Sequence, residues 1–189
     1  KINSYIKKNS LLQSHCKIFN TEAVVLDNES PLSAAKKGLS TSMWNSIYSQ
    51  KNEKSQITLS AGNTGALLII SRMVLEMINN IDKPALAGLW PNNYGMNIVL
   101  DLGANIECNE KNLIDFCHMG SALHKSIFPK EITKVALLNV GSEENKGNDN
   151  VKKAYNYLKN NSNSNYNFAG YIEGNHIMDG NVNVIVTDG

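Results

Sequence analysis

Arginine is almost absent from this 189-residue sequence, and so are long apolar runs. Arg72 is the only arginine, so the positive charge is nearly all lysine ammonium, which lacks the fork with which a guanidinium clamps an anion. The 18 Lys and Arg residues barely exceed the 17 Asp and Glu residues, and this balance argues against nucleic-acid binding. The apolar runs fall far short of the roughly 20 residues that a membrane-spanning helix requires.

Cysteine is also scarce, and its spacing excludes two kinds of framework. Cys16, Cys108 and Cys117 are odd in number and form no CxxC pair, which argues against a disulfide framework and against a cysteine zinc site. The four histidines form no HExxH grouping, so we expect neither a metal nor another cofactor. The pattern suits a reducing compartment, and the start of the sequence has no apolar signal-peptide region. We therefore expect a cytoplasmic protein, and because position 1 is not Met, we expect a portion of a larger chain.

Short aliphatic runs alternate with segments of helical period, which predicts an α/β domain with a mostly parallel sheet across residues 1–189. The predicted strands are 23–26, 57–59, 85–89, 98–100, 134–139, 168–172 and 182–187, and the predicted helices are 31–48, 64–78, 111–124 and 148–159. The apolar helix 64–78 should be buried on more than one face, with Arg72 in a structural role. Asparagine is abundant, at 28 residues, and the asparagine-rich stretch 160–167 is expected to be a surface loop.

The first candidate binding loop is Ser60-Ala61-Gly62-Asn63-Thr64-Gly65, between a predicted strand and a predicted helix. Its glycines let backbone N–H groups approach an anion, its hydroxyls can donate hydrogen bonds, and the helix N-terminus adds partial positive charge. A phosphate cradle therefore fits this loop. An ordinary tight turn, with Asn63 or Thr64 as the helix N-cap, fits it equally well.

A second loop, Asp101-Leu102-Gly103-Ala104-Asn105, follows the predicted strand 98–100. A carboxylate that ends a buried strand needs hydrogen-bond partners, so we favour Asp101 as an architectural residue that anchors neighbouring loop amides. Asn105 either caps this loop or presents its amide to a ligand, and the sequence does not distinguish the two.

A third loop, residues 141–148, places Lys146 between acidic residues and Gly147, before the predicted helix that starts at Asn148. Glu143 or Glu144 could hold the lysine ammonium while it reaches an anion. The alternative is a solvated charged loop, but Lys146 is expected at the same sheet edge as the glycine loop, which favours a binding role. A fourth loop begins at Thr187-Asp188-Gly189.

Six blocks in order resemble the bacterial phosphate acyltransferase family: SAGNTGA at 60–66, KPAL at 83–86, LDLGAN at 100–105, FCHMG at 116–120, ALLNVGSEENKGN at 136–148 and FAGYIEG at 168–174, which runs into VIVTDG. The resemblance implies a three-layer α/β/α sandwich similar to phosphotransacetylase and isopropylmalate dehydrogenase, usually dimeric. It implies transfer of a fatty acyl group from acyl-acyl carrier protein to inorganic phosphate, giving acyl phosphate on the way to phosphatidic acid.

By the same resemblance, Lys146 is the expected catalytic residue. The expected phosphate- or substrate-binding residues are Ser60, Gly62, Asn63, Thr64, Gly65, Asp101, Gly103, Asn105, Glu144, Gly147, Asn148 and Asp188. The expected partners are acyl-acyl carrier protein, inorganic phosphate and a second copy of the chain. A peripheral contact with the inner membrane face is compatible with the lipid-like product, although no helix here combines a strong apolar face with a basic one.

The sequence also departs from the family pattern. Lys83 stands where the family usually has arginine, the segment after Pro31 carries lysines only, and His176 stands where the family usually has aspartate. The role of that aspartate is not transferred to His176 because imidazole reverses the possible charge. The family's amino-terminal strand and its carboxyl-terminal helices are expected to lie outside these residues.

Three alternatives remain open. One is acyl transfer between coenzyme A and phosphate, and another is a non-catalytic interaction protein on the same fold. A nucleotide-dependent dehydrogenase is the weakest alternative, because no GxGxxG follows any predicted strand. Within the acyltransferase reading, a covalent thioester on Cys108 or Cys117 is disfavoured because neither thiol has an evident cation to lower its pKa.

Overall fold

The computed structural model describes residues 2–188 and divides the chain into two compact units, Lys1–Glu76 (unit 1) and Met77–Gly189 (unit 2). Lys1 and Gly189 lie outside the described residues, and with Gly189 the end of the fourth predicted loop. The single α/β domain over residues 1–189 stays a prediction.

Unit 1 is helical. Its α-helices are α1 (Ile2–Lys7), α2 (Ser10–His15), α3 (Pro31–Lys36), α4 (Ser42–Lys51) and α5 (Thr64–Leu75), with a 3-10 helix at Gly38–Ser40. Ser30 caps α3 and Pro31 occupies its first turn, as predicted. The predicted single helix 31–48 is wrong, because Gly38 adopts a φ of +56° and Thr41 starts α4 as a new N-cap.

The core of unit 1 forms between α3, α4 and α5, where small side chains let the helices approach closely. Its buried residues are Ala34, Ala35, Met43, Ile47, Ala66, Ile70 and Val74. Helix α5 buries Ala66, Ile70 and Val74 along one stripe, while Arg72 is exposed on the same helix. Leu67 and Ile69, on either side of this stripe, are partly buried against the same core, so the fully buried part of the helix is one stripe.

The strands predicted at 23–26 and 57–59 are wrong as well. Among the described residues 2–76 no β-strand forms, and Ala23 makes only an isolated bridge to Thr41. Ile57 and Leu59 are 69% and 84% exposed, so these β-branched and aliphatic residues have neither a ladder partner nor a packed face. The glycine loop 60–65 consequently follows an extended segment and not a strand.

Unit 2 contains a five-stranded sheet. Its strands are β1 (Gly88–Asn92), β2 (Gly95–Leu100), β3 (Lys134–Leu138), β4 (Asn167–Ile172) and β5 (Val184–Val186), in the order β1-β2-β5-β3-β4. Strand β1 is antiparallel to β2, and the other neighbouring pairs are parallel. Its helices are α6 (Glu110–Ile127), α7 (Asp149–Asn160) and a 3-10 helix at Gly174–Asp179.

Alternation along the central strands gives the sheet two apolar faces. Ile98, Leu100, Val184 and Val186 belong to the core cluster that contains residues of α6 and α7, whereas the intervening Ile185 belongs to the cluster on the opposite face. The central strands are buried on both faces, which explains their continuous apolar sequence.

The predicted strand 85–89 is displaced along the chain. Leu86 donates its N–H to the Asp101 carboxylate at 2.8 Å, and its carbonyl accepts the N–H of Leu102 at 3.0 Å. Because these backbone groups bond to the 101–105 loop, the ladder begins only at Gly88. The predicted asparagine-rich loop 160–167 follows α7, but its Tyr166 is buried.

The α/β class, the mostly parallel sheet and its flanking helices are confirmed, and they are consistent with a three-layer α/β/α sandwich. Among residues 2–188, no helix combines the length and the apolar character needed to cross a membrane.

Candidate active site

The carboxyl ends of β3 and β5 border an open cleft in unit 2. Its volume is about 390 Å³, and it is lined by Leu138, Asn139, Val140, Gly147, Asn148, Val151, Gly174, Thr187 and Asp188. Three predicted site residues, Gly147, Asn148 and Asp188, therefore meet there. This is the edge of a parallel sheet at which ligands characteristically bind.

Asn139, the residue directly after β3, shapes the loop that carries Lys146. Its side-chain Nδ2 donates to the carbonyls of Gly141 and Lys146, both at 3.0 Å, so one buried carboxamide closes the loop into a ring. Gly147 has a φ of +93°, and a Cβ there would lie 2.2 Å from Asn139 Oδ1. Glycine is required at 147 for both reasons.

Lys146 is paired with Glu143 and does not line the cleft. Its Nζ lies 2.9 Å from Glu143 Oε1, and both side chains are about half exposed. The hydrogen bond from this ammonium lowers the pKa of Glu143, and Glu143 in turn raises the pKa of Lys146. Lys146 therefore stays a cation at neutral pH, as an anion-binding role requires.

Glu144 contacts α7 and not Lys146, so of the two glutamates that the sequence offered as partners of Lys146, Glu143 is the one that pairs with it. Its carboxylate accepts hydrogen bonds from the Tyr155 hydroxyl at 3.1 Å and from the Lys159 ammonium, and both partners lie on α7. Lys159 is the larger cause of the lowered pKa of Glu144. Glu143 holds Lys146, whereas Glu144 ties the loop to α7; a substrate-binding role for Glu144 stays a prediction.

Asn148 connects the cleft to α7. Its Oδ1 accepts the N–H of Val151 at 2.9 Å as the N-cap of the helix, and its Nδ2 donates to Asp188 Oδ2 at 2.7 Å. Both residues are thus engaged with the protein, and they fix the distance between the β3 and β5 loops at the cleft.

Asp101 anchors its loop, as the sequence predicted. Its carboxylate accepts the N–H groups of Leu86, Ala104 and Asn105 at 2.7 to 3.2 Å. The Asn105 carboxamide donates to Pro84 O and to Asp101, each at 2.8 Å, so it stabilises the loop. Gly103 supplies a φ of +82° for the turn. Ligand binding by these three residues stays a prediction.

The glycine loop of unit 1 has a well-defined structural function. Asn63 is the N-cap of α5: its Oδ1 accepts the N–H of Ala66 at 2.9 Å, while its Nδ2 donates to the carbonyls of residues 26, 27 and 29. Ser60 Oγ accepts the N–H of Gly62 at 3.2 Å. Gly65 lets α5 approach α3, because a Cβ there would lie 2.9 Å from Pro31 Cγ.

The N–H groups of Thr64 and Gly65 lie in the first turn of α5, where the helix itself provides no carbonyl to accept them. They are therefore the donors of this loop that a bound anion could use. Phosphate binding by Ser60, Gly62, Asn63, Thr64 and Gly65 therefore stays a prediction, alongside the N-cap that the structure places at Asn63.

The cysteines of unit 2 are poor nucleophiles. Cys117 is fully buried, and burial raises the pKa of its thiol. Burial also raises the pKa of the Cys108 thiol, and the negative charge of Asp101 raises it further. Both thiols stay protonated at neutral pH, which disfavours the covalent route.

His176 lies in the 3-10 helix, where its Nδ1 is 2.7 Å from Asp179 Oδ2.

The sequence did not predict the roles of two residues at the site, Asn139 and Glu173. Asn139 is the last residue of the predicted strand 134–139. The feature that could have indicated its role is a polar side chain at the end of an apolar run. Glu173 accepts the N–H of Ser142 at 3.0 Å and anchors the Lys146 loop to the end of β4. The sequence feature that could have indicated Glu173 is a carboxylate directly after the predicted strand 168–172.

Comparison with known proteins places the chain in a family. All residues 1–189 match the family described as "Fatty acid synthesis protein". The chain is 57% identical over 189 residues to the phosphate acyltransferase of Pelagibacter ubique, covering 100% of this chain and 56% of that protein. It is 41% identical over 174 residues to the phosphate acyltransferase of Maricaulis maris, covering 92% of this chain and 49% of that protein.

A third relative, the phosphate acyltransferase of Ehrlichia ruminantium, is 43% identical over 184 residues, covering 97% of this chain and 54% of that protein. The chain spans about half the length of the curated relatives it matches. Since the family match extends over every residue of the sequence, this protein belongs to the fatty acid synthesis protein family, in which its curated relatives are named phosphate acyltransferase.

Proposed function

We propose that this protein transfers a fatty acyl group from acyl-acyl carrier protein to inorganic phosphate, producing acyl phosphate. The observation that carries the proposal is the 57% identity over all 189 residues to a phosphate acyltransferase. The cleft beside the Lys146 loop supports it, because the loop brings a permanent cation to the sheet edge where ligands bind.

The reaction needs positioning more than activation. A phosphate oxygen attacks the thioester carbonyl, a C–O bond forms, and the carbonyl electrons move to oxygen to give a tetrahedral oxyanion. The oxyanion then collapses, the C–S bond breaks, and the carrier thiolate leaves and takes up a proton. Two anionic groups must come together during attack, so a fixed cation and loop N–H groups lower the barrier.

Lys146 is the proposed catalytic residue. Its ammonium neutralises the incoming phosphate or the oxyanion, and Asn139 and Gly147 hold the backbone that carries it. Asn148 and Asp188 line the cleft and are proposed to contact substrate, while Asp101, Gly103 and Asn105 shape a neighbouring loop at the end of β2. Within unit 1 itself, we propose that the N–H groups of Thr64 and Gly65 bind an anion.

The test is substitution of Lys146 in the whole protein. Removal of one such oxyanion donor typically lowers kcat about 100- to 1,000-fold, so Lys146→Ala should lose that much acyl-phosphate formation. Its urea-unfolding midpoint should match that of the wild type because the side chain is half exposed. Lys153→Ala, which removes an exposed lysine of α7, is the matched control and should retain activity. Near wild-type turnover of Lys146→Ala would contradict the assignment.

The donor separates this function from acyl transfer between coenzyme A and phosphate. Acyl-acyl carrier protein and acyl-coenzyme A with the same acyl chain are compared by kcat/KM at fixed phosphate, and we expect the carrier-protein donor to be preferred. Absence of phosphate-dependent product with both donors would instead support a non-catalytic interaction protein.

We further propose that the protein acts as a cytoplasmic homodimer that contacts the inner membrane face peripherally, as its lipid-like product would favour. Sedimentation velocity would report the dimer, and flotation with anionic vesicles would report the membrane contact. A monomer at micromolar concentration, or no flotation, would contradict the respective proposal.

A further inference from the structure

A tight turn brings Glu143 and Lys146 together. The N–H of Lys146 donates to the carbonyl of Glu143 at 3.0 Å, so these two residues are the ends of one turn and their side chains emerge on the same side. The resulting ion pair is 2.9 Å long and is formed by half-exposed groups that water and free anions can reach.

The side chains of this ion pair lie against the backbone of Gly141. A Cβ at residue 141 would lie 2.5 Å from Lys146 Cδ and 2.8 Å from Glu143 Oε2. The lysine stem and the glutamate carboxylate therefore fold back over the backbone of Gly141, in space that any other residue would occupy. Both contacts are made by the outer atoms of flexible, half-exposed side chains, so the ion pair lies over Gly141 and is able to rearrange when an anion binds.

The ion pair engages Lys146 next to the cleft. Gly147 and Asn148, the next residues in the chain, line the cleft, but Lys146 does not. Glu173 lies close enough that its charge also contributes to the raised pKa of Lys146, after the larger effect of Glu143. The ammonium that would bind phosphate is thus already neutralised by a carboxylate.

We propose that Glu143 competes with inorganic phosphate for the Lys146 ammonium and so sets the phosphate affinity of the site, an inference that rests on the function proposed above. In the protein without phosphate, the Glu143 carboxylate is paired with the Lys146 ammonium. Phosphate displaces the carboxylate, and the freed lysine turns toward the anion at the cleft. Glu143 is a residue that tunes substrate affinity through Lys146.

The substitution Glu143→Gln removes the competing charge and keeps the shape of the side chain. Exposed ion pairs typically change an equilibrium by up to about fivefold, so both the Kd and the KM for phosphate should fall about two- to fivefold, with kcat changed by less than about twofold. Phosphate binding is measured directly by calorimetry on the whole protein, and KM is measured in the acyl-phosphate assay.

Two further variants keep the test specific. Asp149→Asn removes the same charge from a nearby carboxylate that faces Lys152 at 3.7 Å, and it should leave phosphate binding unchanged. In a Lys146→Ala background, Glu143→Gln should no longer tighten phosphate binding, because its effect acts through the lysine.

The outcomes separate this proposal from the proposed function. Weaker phosphate binding by Glu143→Gln, the same tightening in the Lys146→Ala background, or no detectable phosphate binding by any variant would each overturn it. If Glu143→Gln tightens phosphate binding through Lys146 but no acyl phosphate forms, the competition holds and the proposed acyltransferase function fails.

Discussion

Gly120 controls how closely α6 approaches the sheet, and its replacement by alanine is a direct test of the packing. A Cβ at this position would lie 2.5 Å from Val184 Cγ1 and 2.8 Å from Leu100 Cδ1. Both neighbours belong to central strands and are almost completely buried, at 0% and 2% exposure, so neither can move aside into solvent.

The expected cost follows from two opposing effects. Forcing an additional methyl group into a well-packed core typically costs about 1 to 3 kcal/mol. Alanine recovers up to about 1 kcal/mol relative to glycine inside a helix. Two contacts below 3.0 Å to buried side chains place the packing cost near the upper end of its range. Gly120→Ala should therefore lower the free energy of unfolding by about 2 kcal/mol and lower the Tm by a few degrees.

Urea unfolding followed by circular dichroism measures this change. Ser126→Ala, on the exposed side of the same helix, provides the control because it raises helix propensity without a new contact in the core, and it should change stability by less than about 0.5 kcal/mol. If Gly120→Ala is as stable as the wild type or more stable, the close approach of α6 to β2 and β5 is not required, and the reasoning is refuted.

Three other substitutions test the caps, the Lys146 loop and the buried histidine. Asn63→Ala removes the N-cap of α5, which should cost about 1 to 2 kcal/mol in urea unfolding. Gly147→Ala places a Cβ 2.2 Å from Asn139 Oδ1 at a φ of +93°, and the displaced loop should lower kcat about 100-fold in steady-state assays. Burial lowers the pKa of His124 from 6.5, so its stabilising effect is complete above pH 6.5 and is lost as the pH falls through the folded-state pKa. His124→Gln should therefore flatten the decline in urea-unfolding stability as the pH falls below 6.5.

Most of the sheet in unit 2 could be predicted from the sequence because its central strands are buried on both faces. Such strands are continuous apolar runs, and the residues around Ile98, Val135 and Val184 meet that pattern. Helix α7 was equally clear, since Val151, Ala154 and Leu158 are buried at helical spacing. In these elements the local pattern and the tertiary packing agree.

Unit 1 shows where such local patterns fail. The aliphatic segments around Val24 and Leu59 have strand propensity, yet a strand forms only when a neighbour supplies its hydrogen bonds, and both side chains are more than half exposed. Ladder partners are far away in sequence, so propensity within a few residues carries no information about them.

The site was predictable in its chemistry and less so in its contacts. The sequence placed a lysine between two glutamates but could not decide which one holds it. The turn that joins Glu143 to Lys146 decides this, and Glu144, one residue later, faces Tyr155 and Lys159. Asn139 was missed because a polar residue that continues an apolar run does not reveal that it will bend back to close a loop.

Two of the side chains that clamp the loop at the cleft are carboxamides, in a sequence with 28 asparagines and one arginine. Asn139 closes the Lys146 loop and Asn148 joins it to Asp188, and neither carboxamide adds charge. A guanidinium in either place would add a second cation and reduce the influence of any one carboxylate. Because these two carboxamides add no charge, the carboxylates that act on the pKa of Lys146 are Glu143 and, to a smaller extent, Glu173, and removal of one carboxylate changes the charge that an incoming anion meets.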